Sequence, residues 1–347
     1  MSSATSGRCH DFGEDAVPTG ERDMPIFTDV LTEYAERTQR RAVAAAAERV
    51  RAPLTVEVRG RPGTGRHAVA AALLAAGLPV VADSARADVR VVVVAEAVKP
   101  EDRALLATDG PALVVLNKAD LAGRVPGGPP AEADRTAARL AAALGRPVVP
   151  MVALLAGADI DDELFAALRA LAATPADLSS VDAFVTGEHP VPAQVRQRLL
   201  TRLDRYGTAR AVLAVADGAT PVDVEAALRT LSRSGEVVAA LAGFAPEVGY
   251  RRVCAVVTEL TREAIETRDD ELGAFLVSDA VVVAVMAAAV DHLESCGLRI
   301  DRGDDPDAHL RRALRWRRYA DGPLAALYRR GAADVSRGSL RLLARSR

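Results

Sequence analysis

The chain has 347 residues, 50% of them hydrophobic and 26% charged, with a formal net charge of −3. That is the composition of a folded protein of two or three domains, and it excludes a polyanion binder acting through overall charge. Aromatics are only 3%, so the cores must be built from Ala, Val and Leu.

Residues 1–24 are rich in Ser, Gly, Asp and Glu without periodicity and read as a disordered tail. The segment 25–51 follows. Within it Ile26, Val30, Leu31, Tyr34, Thr38, Val43, Ala47 and Val50 recur at roughly helical spacing, which predicts one helix over 26–50 ended by Pro53. Its apolar stripe is expected to pack on a helical bundle further along the chain. Residues 52–175 alternate short Val-rich runs with Ala-rich helical stretches, the pattern of a parallel sheet covered on both faces. Strands are predicted at 54–59, 79–82, 89–95, 112–117 and 147–152, and helices at 66–76, 100–107, 132–144 and 160–172, with a surface loop at 123–130.

Past Pro175 the strand signals stop, and residues 185–347 read as an all-α bundle. Thr220-Pro221-Val222-Asp223 opens one of its helices, with a hydroxyl cap, a proline at the first helical position and an acid at the third. A single long helix over 269–295 is expected at the bundle's centre. Residues 308–347 carry eleven arginines against Asp321 and Asp334. This is a solvated helix face or a patch for an anionic surface or partner.

Three cysteines, Cys9, Cys254 and Cys296, form no Cys-x-x-Cys pair, which excludes a zinc ribbon or disulfide scaffold and leads to the expectation of a reducing, cytoplasmic setting. The longest apolar stretches, 68–82 and 280–290, fall short of the ~18 residues a membrane span needs. The five histidines are scattered, with no His-Glu-x-x-His and no i, i+4 pair. Trp316, among arginines, reads as a bundle-packing residue, with a partner anchor as the other reading.

Two motifs carry chemistry. Gly60-Arg61-Pro62-Gly63-Thr64-Gly65-Arg66-His67 lies between a strand and a helix and keeps the glycine spacing of the phosphate loop G-x-x-x-x-G-K-[ST]. Glycines there let backbone N–H groups face phosphate oxygens at a helix N-terminus, although any tight strand-to-helix turn can carry glycines. A dinucleotide fold fits less well, because the glycines fall as G-x-x-G-x-G. The second motif is Asn117-Lys118-Ala119-Asp120 at the end of an apolar strand, and it contains one of the chain's two lysines, the other being Lys99.

With both motifs in this order, the chain resembles a G protein of the TRAFAC class, and more narrowly the bacterial dynamin-like GTPases, in which a helix and a Pro-Leu dipeptide, here Pro53-Leu54, precede the first strand. The resemblance covers residues 26 to about 175 by sequence and the bundle only by architecture. It implies an α/β fold with a mostly parallel sheet, helices on both faces, and an all-α bundle joined by the N-terminal helix. It also implies roles. Asp120 accepts from the N–H groups of guanine, the Lys118 stem lies along the base, and Asn117 braces the phosphate loop. The amide of Ala153 faces the guanine oxygen. Gly60, Gly63, Thr64, Gly65, Arg66 and His67 line the phosphates, and Asp83 takes the place of the aspartate that holds Mg²⁺ through water.

Departures from that pattern accumulate on the phosphate side. Arg66 stands where the family has lysine, a compact point charge to which a planar guanidinium is not equivalent. His67 replaces the hydroxyl that ligates Mg²⁺, a cation that prefers oxygen. Arg86 stands where the family has glycine, and the span 77–88 leaves no room for a switch loop with a metal-binding threonine. No catalytic residue can be assigned. The reading is a degenerate dynamin-like G protein, a pseudo-GTPase that binds GTP or GDP weakly, with Mg²⁺ binding doubtful and little or no hydrolysis. Its helical domain is expected to act as a regulatory or scaffolding module. The alternatives are a genuine slow GTPase and a nucleotide-free structural adaptor. The resemblance implies a protein partner, such as a complete dynamin-like GTPase. Peripheral membrane contact through the basic C-terminal region is a further expectation, and nucleic acid is not.

Overall fold

A computed structural model describes residues 26–107, 110–123 and 126–346; the tail assigned to 1–24, with Cys9 and His10, lies outside the described residues. The elements in chain order are α1 (Phe27–Thr38), α2 (Arg41–Arg51), β1 (Val56–Gly60), α3 (Arg66–Ala75), β2 (Val89–Val94), α4 (Pro100–Leu106), β3 (Ala112–Asn117), α5 (Gly128–Leu144), β4 (Val148–Met151) and α6 (Asp162–Ala173). The rest is helical: α7 (Val181–Thr186), α8 (Ala193–Ala216), α9 (Pro221–Ser232), α10 (Ser234–Ala242), α11 (Ala245–Thr267), α12 (Asp270–Leu276), α13 (Asp279–Ser295), α14 (Pro306–Ala320) and α15 (Ala326–Arg345).

The chain is thus α/β, with one four-stranded parallel sheet in the order β1-β2-β3-β4. Parallel strands need both faces covered, and the valine run of β2 divides accordingly. Val91 and Val93 join Val56, Val69, Leu73, Leu113 and Val115 in one core. Val92 and Val94 join Leu106, Val114, Leu116 and Ala137 in the other. The strand expected at 79–82 shrinks to one parallel bridge, Val56 to Val80, on the free edge of β1. Val56 N–H donates to Pro79 O and Val81 N–H to Val56 O, each at 2.9 Å. A 3-10 turn at Ser84–Arg86 then diverts the chain before further pairing is made.

Two helices expected to be continuous are broken. The segment 26–50 divides at Gln39, which adopts the left-handed conformation with φ 57°. The expected stripe already contained the reason, since its step from Thr38 to Val43 is five residues and falls out of helical phase. Both halves bury their apolar faces, Leu31, Tyr34, Val43 and Ala47 among them, against Val253, Val256, Leu260, Leu272 and Val281 of α11, α12 and α13. The segment 269–295 divides before Ser278, whose hydroxyl caps α13 by accepting from Val281 N–H. At Thr220 the cap forms as the sequence indicates, with Asp223 reciprocating to the Thr220 N–H at 3.0 Å.

Besides that core, the remaining helices join three others. Helices α6 to α9 form one around Leu155, Leu164, Leu168, Phe184 and Leu199. Helix α10 covers a sheet face through Val237 and Leu241. Helices α13, α14 and α15 close around Tyr250, Leu293 and the fully buried Trp316. No single helix among the described residues is long and apolar enough to cross a membrane. The bent pair α12–α13 is long and apolar enough only when its two helices are taken together, and its Val281, Val283, Val285 and Val290 are part of the cores described here.

Candidate functional site

The glycine loop, the Asn117–Asp120 segment and the Ala153 turn all follow the carboxyl ends of parallel strands, β1, β3 and β4, the edge of an open α/β sheet where ligands bind. The glycine loop is constrained residue by residue. A Cβ on Gly60 would stand 2.7 Å from Val93 O and 2.8 Å from Thr64 Oγ1. Gly63 and Gly65 both hold φ +83°, which favours glycine. Gly63 faces open space, whereas a Cβ on Gly65 would meet Asn117 Nδ2 at 2.3 Å.

Asn117 explains that close approach. It is buried, and its Nδ2 donates to Thr64 O at 2.9 Å while its Oδ1 accepts from Ala153 N–H at 3.0 Å. One side chain therefore fastens the glycine loop to the turn after β4. Thr64 is also buried, and its hydroxyl donates to Arg61 O at 2.8 Å, closing the loop on itself. Arg61 Nε reaches both oxygens of Asp102 at 3.0 Å. Asp102 is fully buried and also accepts from Lys99 N–H at 2.9 Å, so the same carboxylate caps α4 and anchors the loop.

The remaining sequence-selected residues are placed as follows. Arg66 turns back onto the loop, its Nη1 donating to Gly60 O at 2.8 Å, and His67 is exposed. Lys118 takes the left-handed conformation with φ 59° and is exposed. Asp120 is half-buried. Burial raises its carboxyl above the ordinary aspartate value, its own backbone N–H opposes this, the like charge of Asp204 adds to the rise and Lys118 offsets part of it. The Ala153 N–H is engaged by Asn117. Asp83 accepts from Ala85 N–H at 2.9 Å, capping the turn that carries Arg86, and both residues are exposed. Among the described residues no group of three or more His, Cys, Asp or Glu side chains could hold a metal ion.

The structure brings together Gly60, Gly65, Thr64, Arg66, Asn117 and Ala153 through direct contacts; Asp83 instead bonds within its own turn. Sequence reasoning missed Arg61 and Asp102. The acid three residues beyond Lys99, just before a proline-led helix, was a capping signal that could have located one of them. It also missed Asp88 and Arg252, which join the turn after Asp83 to α11. Arg252 Nε and Nη2 reach the two Asp88 oxygens at 3.0 and 2.6 Å. Thr55 N–H and Oγ1 donate to the same carboxylate at 2.8 and 2.7 Å. No family model, no curated protein and no solved structure matches this chain.

Proposed function

We propose that the chain is a guanine-nucleotide-binding module of the dynamin-like G-protein kind that has lost the chemistry of hydrolysis and serves as a regulatory or scaffolding partner. The observation that carries the reading is the Asn117 bracket. A carboxamide that fastens a glycine loop to a second turn, with Asp120 three residues further on, is what a base-reading segment linked to a phosphate cradle requires. The cradle fits a phosphate chain, because Gly63 leaves open space and any side chain at Gly60 or Gly65 would collide with the loop's own supports. Asp120 would read N1–H and the 2-amino group of guanine, whereas adenine N1 offers only an acceptor. An acid facing an acceptor in a partly dry site costs on the order of 1–3 kcal/mol.

The residues do not fit a catalytic Mg²⁺. The Thr64 hydroxyl is turned to Arg61 O, His67 offers no oxygen, and Asp83 is bonded within its own turn. Phosphoryl transfer depends on positioned charge around the γ-phosphate and its metal, so no hydrolytic step is derived. For a protein partner, α14 offers the exposed residues Leu310, Leu314 and Tyr319 beside the arginines Arg311, Arg315 and Arg318.

Calorimetric titration of the full chain with GTP, GDP and ATP, with and without Mg²⁺, tests the reading. GDP and GTP should bind in EDTA, ATP should bind at least tenfold more weakly, and Asp120→Ala should remove the difference. No phosphate should be released above a buffer control. Equal affinity for ATP and GTP, or Mg²⁺-dependent turnover abolished by Arg66→Ala, would overturn it. Absence of all binding would leave the nucleotide-free adaptor.

A further inference from the structure

Two grooves away from the sheet carry opposite charge. The first lies on α14. Arg311, Arg315 and Arg318 follow one another at steps of four and three residues and share a side of the helix with Leu310, Leu314 and Tyr319. All but Leu310 line a groove of about 540 Å³, and Leu314 is 57% exposed. The Tyr319 ring leans on the buried Trp316, with centroids 5.2 Å apart, so the patch stands on a packed core. Arg317 turns to Asp321 at 3.1 Å, whereas Arg311, Arg315 and Arg318 have no acidic partner among the described residues.

The second groove lies where α1 passes the break between α12 and α13. Val30, Glu33, Tyr34 and Arg37 of α1 line it with Glu271 and Phe275 of α12, around a space of about 370 Å³. Tyr34 and Phe275 stack with centroids 3.7 Å apart, and Val277, at the break itself, is 62% exposed. The cations here are already held by acids. Arg37 lies over the Tyr34 ring and 3.9 Å from Glu271, and Arg40 donates to Asp269 at 3.1 Å and to Glu271 at 3.0 Å. Glu33 is exposed and has no basic partner among the described residues. Together α1 and α12 carry Asp29, Glu33, Glu36, Asp270 and Glu271 against Arg37, while α14 carries five arginines against Asp307.

Each groove therefore offers what the other lacks: unpaired cations among exposed leucines on α14, an unpaired acid beside stacked aromatics on α1 and α12. An anionic bilayer would answer α14 alone and leave the acidic groove uncovered. We propose that the arginine face of α14 docks into the α1–α12 groove of a second copy of this chain. Leu314 meets Val30 and Phe275, and the arginines face Glu33. Exposed ion pairs contribute little each, so apolar contact supplies the affinity and charge selects the face. The contact is weak and sensitive to salt. This goes beyond the nucleotide reading and does not rest on it, since no nucleotide enters the test.

Sedimentation velocity of the full chain over a concentration series at low salt should show a sedimentation coefficient that rises with concentration and falls back when salt is raised. Arg315→Glu and Glu33→Arg lie at exposed positions and should melt with the parent. Each should associate about tenfold more weakly or less, because like charges then face each other. Mixed one to one, the two variants should associate again, since the acidic groove of the first meets the arginine face of the second; a contact between like faces would not be restored in this way. If either variant melts lower than the parent, Arg315→Gln and Glu33→Gln take their places in the same design. A parent that stays monomeric, undiminished association of either variant, or a mixture that does not associate would each overturn the proposal. A monomeric parent that sediments with phosphatidylserine vesicles, and ceases to in Arg315→Glu, would assign the arginine face to an anionic membrane instead.

Discussion

Replacing Arg252 with alanine is expected to loosen the joint between the sheet and the helices on which α1 and α2 pack. The guanidinium bonds both Asp88 oxygens, and it also donates to the backbone carbonyls of Val50 at 3.3 Å, Pro53 at 3.0 Å and Ala52. Four stretches of chain thus meet on one cation: the end of α2, the lead into β1, the turn before β2, and α11. The side chains of Arg252 and Asp88 are 18% and 16% exposed. Removing one partner of a fully buried pair costs about 3–5 kcal/mol, and the residual exposure lowers that to about 2–4 kcal/mol through solvent screening. For a chain of this size each kcal/mol corresponds to about 1.4 °C, so Arg252→Ala should melt about 3–6 °C lower, followed by circular dichroism. Asp88→Asn added to Arg252→Ala should cost little more, because the unpaired carboxylate is the source of the loss. Burial acts to raise the Asp88 carboxyl, but hydrogen bonds from Arg252 and Thr55 hold it below the ordinary aspartate value. A depressed acid contributes stability that is present above its unfolded pKa and lost as pH falls through the folded one. The gap between parent and variant should therefore close below about pH 4. A variant melting within about 1 °C of the parent at pH 7, or a double variant costing the sum of the two singles, would refute this account.

Gly65→Ala and Gly63→Ala share the same strained φ, but only Gly65 abuts Asn117. Gly63→Ala should cost about 1–2 kcal/mol from backbone strain alone, and Gly65→Ala about 2–4 kcal/mol once the Asn117 bonds are disturbed; equal melting points would show that the bracket contributes nothing. His292 is buried with Nε2 unpartnered, and burial lowers its pKa. The folded state then binds fewer protons than the unfolded one, so stability is complete above the ordinary histidine value of about 6.5 and falls as pH drops below it. His292→Leu should flatten the melting profile between pH 7.5 and 5, and an unaltered slope would exclude His292 as its source.

The strand runs were legible because valine repeats bounded by prolines and glycines leave few alternatives, and β1 to β4 fall where those repeats lie. The Thr220 cap was legible for the same reason, since its partners are three residues apart. What escaped was of two kinds. Single residues such as Gln39, Asp204 and Arg268 adopt positive φ without being glycine, so the composition carries no mark of the turn they make. Side-chain pairs such as Arg61 with Asp102 and Arg252 with Asp88 join positions 41 and 164 residues apart, beyond the range of any periodicity. The candidate site mixes the two. Its glycines and Asn117–Asp120 announce themselves, whereas the supports that fix their shape, and the broken helix against Leu155, depend on how distant segments meet. The placing of α10 on the sheet was equally hidden, because an Ala- and Val-rich helix suits a bundle or a sheet face alike.

On the nucleotide reading, the Asn117 bracket limits how occupancy of the cradle could be sensed elsewhere in the molecule. A loop clamped at Thr64 and at Ala153 by one carboxamide already has its final shape when a ligand arrives. It has little freedom left to lose, and equally little motion with which to transmit a message. Any change of state that the rest of the molecule can sense must originate in parts held less symmetrically. Two are at hand: the turn at Asp83–Arg86, followed by Asp88 and its pairing with α11, and the break in α8 at Asp204. The cradle is the fixed post, and the levers lie on either side of it.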